Sequence, residues 1–308
     1  MPLLKNLWRE EEGSVLVIVS VAMVAILGLA ALVIDVGVLY LHRLNLVNAA
    51  DAAALAGVTF LPNRPVYAQT TAVDYANYNS QPEEVQVEIG DNSRSLTVRL
   101  AREVDFYLAR LLGRDNMRIQ ASAKARAWTL TGARGVAPFA VEKQEFVFGE
   151  TYYLKVGAQN KDQRPFRGNF GVLALGGQGA NVYYNNLVNG YQGWIRINDQ
   201  LDTEPGNMVG KTRQGVQELM NRCHHHHVPA CTYLNYQPGC PRLLITPVVD
   251  SLKVSGRSLV TVVGFAAFFL EEFDNSQDYV VGRFVRSFHD GEWGEGADYG
   301  TMVAGLVE

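Results

Sequence analysis

The chain has 308 residues, with 27 Lys and Arg against 31 Asp and Glu and a formal net charge of -4. At 48% hydrophobic and 19% charged residues it can build cores, and its composition is not that of a disordered chain. The charge balance offers no general attraction to nucleic acid, which excludes that partner class.

Residues 13–34, GSVLVIVSVAMVAILGLAALVI, carry no charged side chain. At 1.5 Å per residue the run is about 33 Å long as a helix, enough to cross a hydrocarbon core of about 30 Å. This predicts one transmembrane helix. A cleavable signal peptide has a shorter apolar region of about 7–15 residues, and a soluble core helix needs a polar face that this run lacks. Asp35 closes the run. A carboxylate deep in lipid is costly, so Asp35 reads either as an interfacial group or as one facing a partner helix. Lys5, Arg9 and the α-amino group precede the span and only Arg43 follows closely, which favours a cytoplasmic N-terminus with the rest of the chain outside. Alanines 49, 50, 52, 53, 54 and 56 carry the helix on to about Gly57, before Pro62 and Pro65 stop it. Their small-residue stripe suits close packing on another membrane helix or on the chain's own domain.

The string EGSVLVIVSVAMVAILGLAALVIDVGVLYLHRLNLVNAADAAALAG resembles the N-terminal segment of the TadE/TadG-like proteins of Flp (Tad) pilus assembly. The resemblance rests on the Glu-Gly before the apolar run, the step Ile34-Asp35-Val36-Gly37, Tyr40, Arg43 and the block from Asn48 to Gly57. The strings GNFGVLALGGQGAN and DTEPGNMVGKTRQG also resemble the ectodomains of Gram-positive members of the group. The resemblance implies a membrane-anchored pilus-assembly protein. The chain departs from the pattern at two places. Ile18 stands where a pilin-like signal would carry Glu, which argues against cutting by a prepilin peptidase. Asp250-Ser251-Leu252-Lys253-Val254 does not form the Asp-x-Ser-x-Ser metal motif of von Willebrand A-type domains.

Beyond Pro65, residues 66–79 have helical spacing, with Val66, Thr70, Val73 and Asn77 on one side and Ala72, Tyr75 and Ala76 beside them. Residues 85–89 alternate as a strand, 90–93 are turn text, and Leu96, Val98 and Leu100 alternate again. Asp105 is placed to cap a short helix through Leu112, ended by Gly113, and a third strand runs from Met117 to about Leu130. The order predicts a small α/β sandwich with helices on one face of a sheet, an order also found in ring-building modules of secretion machines.

Residues 131–308 hold short Val-, Phe- and Tyr-rich runs separated by Gly and Pro: 146–148, 152–156, 171–175, 194–197, 243–249, 259–270 and 279–288. They predict a mainly β domain, with 260–270 as a central buried strand and 214–223 as its one clear helix. The fold class is therefore α+β: a leader and long transmembrane helix over 1–60, a membrane-proximal domain over 65–130 and a β ectodomain over 131–308.

Candidate chemistry is sparse. Pro205-Gly206-Asn207-Met208-Val209-Gly210-Lys211-Thr212 nearly spells a P-loop, but Pro205 replaces the first Gly and the preceding text is acidic. Proline also removes an N–H from a phosphate cradle, so the stretch reads as a turn leading into the 214–223 helix. Cys223 is followed by His224, His225, His226 and His227, with Cys231 and Cys240 downstream. Three readings stay open: a disulfide between two of the cysteines (Cys231 with Cys240 closing a short loop), no covalent role, or a zinc site. The spacing matches no standard zinc finger, and no metal or cofactor is assigned. Gly176-Gly177-Gln178-Gly179 reads as a loop, and His289 beside Asp290 reads as surface. With no nucleophile elbow and no His-Glu-x-x-His helix, no catalytic residue is expected. The partners expected are the membrane and pilus or envelope proteins, with self-association left open. The rival reading is an anchored extracellular enzyme, or an adhesin or ligand-binding ectodomain.

Overall fold

The structure is a computed structural model that describes residues 11–154, 169–206, 208–223, 231–237, 239–253, 256–276 and 278–307. The fold is α+β. It forms two compact units, the first extending to Arg126 and taking in the chain end from Gly305, the second spanning Ala127–Ala304.

In the first unit, α1 (Glu11–Val58) is one uninterrupted helix of 48 residues. Its length of about 72 Å is more than twice the hydrocarbon thickness, so roughly half of it must lie beyond any bilayer it crosses. The two halves differ in chemistry. From Val15 to Ile34 the large apolar side chains are exposed. From Leu46 onward a stripe of Leu46, Ala49, Ala50, Ala53, Ala54 and Val58 is fully buried. These positions recur every three or four residues and face the protein's own domain.

The helix α2 (Pro65–Ser80) starts with proline at its first position, where a missing N–H costs nothing. It packs on α1 through Ala68, Ala72 and Ala76. Val66, Thr70 and Asn77 point to solvent, and the alanines at i+4 spacing go inward. Small side chains on both helices allow a close approach, as at Gly57. A Cβ there would lie 2.8 Å from the Ala68 carbonyl oxygen and 3.0 Å from the Ala72 Cβ.

The two helices cover one face of an antiparallel sheet formed by β1 (Glu84–Ile89), β2 (Ser95–Asp105) and β3 (Asn116–Ala133). Cross-strand pairs Leu96–Ala125, Val98–Ala123 and Leu100–Ala121 supply its buried face. Large residues on β2 opposite alanines on β3 leave room for α1, and period-two alternation sends Arg99, Arg118, Gln120 and Ser122 to the other side. There Glu84 pairs with Arg118, and Glu88 pairs with Arg99 at 2.6 Å.

The second unit is mainly β. Its elements are β4 (Val141–Glu142), β5 (Thr151–Tyr153), β6 (Asn169–Leu173), α3 (Ala180–Asn189), β7 (Ile195–Arg196), β8 (Gln200–Pro205), α4 (Val209–Arg222), β9 (Leu243–Val249), β10 (Leu259–Asp274), β11 (Tyr279–Val285), β12 (Ser287–Phe288), β13 (Glu292–Gly294) and β14 (Thr301–Val307). The main sheet runs β4-β9-β10-β11-β5, and β8 also pairs with β10. β10 is the central strand expected from its apolar text. Phe265, Phe268, Phe269 and Leu270 are all buried, because neighbours cover both of its faces.

Several expectations are corrected. Residues 146–148 form no strand; Phe146 instead fills the core from a loop, its ring 4.3 Å from that of Phe284. The run 194–197 shortens to β7, 152–156 to β5 (residues 155 and 156 lie outside the described residues), and 279–288 divides into β11 and β12. The helix at 214–223 begins earlier, at Val209, and is joined by α3. α3 packs on α4 through Tyr183 and Leu187 against Val216 and Leu219.

Candidate functional site

The site with the clearest architecture joins the apolar span to the folded domain. After β2 the chain turns through Phe106, Tyr107 and Leu108 into a single 3-10 turn, Ala109–Leu112. Gly113, at φ +81, closes the turn in the left-handed region that glycine favours, and its N–H reaches the Arg110 carbonyl at 3.0 Å. The first N–H groups of such a turn have no partner within it. Asp35 supplies one. Its Oδ1 accepts from Tyr107 N at 2.8 Å and Leu108 N at 3.3 Å, and its Oδ2 accepts from Leu108 N at 3.1 Å and Ala109 N at 2.7 Å.

Asp35 is 4% exposed. Burying a carboxylate is tolerated only where charge-assisted hydrogen bonds replace its water, and three successive backbone amides converging on both oxygens do so. The expected cap at Asp105 is therefore corrected: Asp105 is the last residue of β2, and the capping carboxylate comes from α1, 72 residues earlier than Tyr107. The described partners of Asp35 are this chain's own amides, and none of them is a partner helix. The alanine stripe of α1 likewise packs on α2 and β2 of the same domain. Tyr107, whose N–H binds Asp35, leaves its own side chain 70% exposed.

The other sequence candidates fall in the second unit. Gly210, Lys211 and Thr212 are already helical in α4, rather than part of a turn ahead of it; Asn207 lies outside the described residues. The Thr212 hydroxyl is fully buried, 2.7 Å from the Met208 carbonyl and 2.8 Å from the Tyr183 hydroxyl, and Lys211 Nζ lies 5.2 Å from the Tyr184 ring centre. Burial pushes the Tyr183 hydroxyl pKa upward, although the Thr212 hydrogen bond opposes this. A threonine turned into its own core cannot serve a phosphate. His289 is half-buried rather than on the surface. Its Nε2 is shut off from solvent with no hydrogen-bond partner among the described residues, and burial lowers its pKa to about 4 against the opposing pull of Asp290.

Cys223, Cys231 and Cys240 come together with their sulfurs within 4.8 Å of one another and no disulfide between them, so of the three open readings the Cys231–Cys240 bridge is the one the structure does not form. Burial pushes the Cys240 thiol up to about 12, partly offset by the Arg242 backbone N–H that donates to it. His224, His225, His226 and His227 lie outside the described residues. A polar hollow of about 390 Å³ lies on the outer face of the first unit's sheet, where Glu84 and Arg118 neutralise each other.

No curated protein and no solved structure matches the chain. One family model does match, over residues 13–60, a stretch that contains the exposed apolar run, Asp35 and the whole buried stripe of α1. That model is described as "Putative Flp pilus-assembly TadE/G-like", and the similarity is confined to α1 and the two residues that follow it.

Proposed function

We propose that the chain is a single-pass, membrane-anchored structural component of a Tad-type (Flp) pilus or a related cell-surface secretion system, and that it is not an enzyme. Its N-terminus lies in the cytoplasm and everything beyond Asp35 lies outside, in line with the Lys and Arg bias around the span. One observation carries the reading. The family-matched segment 13–60 is both an exposed apolar helix and, through Asp35 and the alanine stripe, a built-in part of the first folded unit. A plain tether needs no such junction, whereas a component that must hold its domain at a set height above the membrane does.

Two surface features of the first unit support assembly over catalysis. β1 pairs only with β2 among the described strands and so presents an edge for strand addition. α2 exposes Tyr67, Tyr75 and Tyr78 alongside its buried alanine face, and aromatic residues are enriched at protein interfaces. The partners are accordingly pilus or envelope proteins, with further copies of this chain among them.

The test is removal of the chain from its cells, followed by complementation. Loss of surface pili or secreted product, restored by the full chain and by a version with residues 15–34 replaced by an unrelated apolar span, supports the reading. Unchanged surface structures after removal refute it.

A further inference from the structure

We propose that Cys223, Cys231 and Cys240 form a binding site for a thiophilic divalent cation of the zinc class, which staples the end of α4 to the start of β9. The three cysteines are the chain's whole complement and come from separate places: Cys223 at the C-cap of α4, Cys231 ahead of the turn bridged by Thr232 and Asn235, and Cys240 just before β9. Their sulfurs all lie within 4.8 Å of one another, and those of Cys223 and Cys240 are 3.7 Å apart. Thiolates about 2.3 Å from a tetrahedral zinc ion stand roughly 3.8 Å apart, so this pair already has the spacing of two ligands on one ion. A disulfide would use two of the three sulfurs and leave the third against it; a cation uses all three.

The surroundings suit a closed structural site. Cys231 and Cys240 are buried beside Ala267, Phe269 and Val285, with Tyr233 and Tyr236 packed around them. The Arg242 backbone N–H donates to the Cys240 sulfur, the kind of second-layer bond that orients a thiolate ligand. The Arg242 guanidinium is fixed by the carbonyls of Leu270 at 2.8 Å and Cys231 at 3.0 Å. Binding exchanges three S–H protons for one dication. The cluster then carries one net negative charge, opposite in sign to this guanidinium. A neutral fourth ligand, water or imidazole, completes the tetrahedron without changing that balance.

The test uses the full chain in detergent, purified under nitrogen without chelator and loaded with zinc or cobalt. Because consecutive histidines bind such ions unaided, a variant with His224, His225, His226 and His227 all replaced by alanine is run in parallel. We expect about one zinc per chain, a thiolate-to-cobalt charge-transfer band that persists in the histidine variant, and loss of that band in Cys223→Ser and Cys240→Ser. Cys223 is half-buried, so its variant should fold; if Cys240→Ser does not, the band in the parent protein and its loss in Cys223→Ser decide the matter. Metal retained in the serine variants but lost from the histidine variant would overturn the proposal. So would reduced parent protein with no charge-transfer band, or unreduced protein lacking metal and short by the two hydrogens of a disulfide.

Discussion

The carboxylate of Asp35 caps the backbone N–H of Ala109 at 2.7 Å, although the two residues are 74 positions apart. That bond, with those to Tyr107 and Leu108, turns the end of the exposed apolar run into part of a folded domain. If the role of Asp35 is this intrachain cap, its effect must be visible in purified protein without partners. Asp35→Asn places an amide NH2 toward backbone donors, and Asp35→Leu leaves three amides without an acceptor. Both variants should stay in the membrane fraction, melt several degrees below the parent in detergent and be cleaved faster around residues 106–115. Unchanged melting with impaired assembly would assign Asp35 to a partner instead.

Gly57 is a point of close approach between α1 and α2. A methyl group there meets the Ala68 carbonyl oxygen at 2.8 Å, and backbone cannot swing aside as a flexible side chain can. Gly57→Ala should cost about 1–3 kcal/mol in a thermal melt, despite the better helix propensity of alanine, and Gly57→Leu more. A stabilised Gly57→Ala would show that the helices stand further apart.

At the near-P-loop, Lys211→Ala should change nothing in a nucleotide titration, since the parent should show no saturable ATP binding. Thr212→Val should instead lower stability by about 1–3 kcal/mol, because it strands the buried Tyr183 hydroxyl. Saturable ATP binding lost in Lys211→Ala would reverse the structural assignment.

His289 supplies a pH signature. Its folded pKa of about 4 lies below the ordinary value of 6.5, so the native state holds it neutral while the unfolded chain takes up a proton. The stability it protects is present above pH 6.5 and is lost as pH falls from 6.5 to 4, by on the order of 1–3 kcal/mol. His289→Phe should flatten that part of the melting-temperature profile. An identical slope in the variant would place the titration elsewhere.

Local patterns in the sequence were good guides to this fold, and distant pairings were not. The uncharged run of 13–34, the alternation of Leu96, Val98 and Leu100, and the apolar text of β10 each encode their structure within a few residues. The helix α3 was missed because ANVYYNNLVN, between Gly179 and Gly190, is short and rich in weak helix formers, although Tyr183, Leu187 and Val188 do trace one apolar face. Asp105 stood in the right place to cap the 3-10 turn, and nothing in the text pointed to Asp35 instead. The proximity of Cys223 to Cys240 depends likewise on α4 packing on β10, the strand that pairs with β9, which spacing along the chain does not encode.

If this chain works by binding other components of a surface structure, its exposed face must touch them in living cells. A photo-crosslinking residue at Tyr67, Tyr75 or Tyr78 on the exposed edge of α2, activated in intact cells and followed by identification of the captured proteins, tests it most directly. The account predicts capture of pilus or envelope proteins, with further copies of this chain among them, and loss of that capture on Asp35→Leu. Cells in which none of the three positions captures a protein, while surface pili are assembled at normal levels, would contradict it.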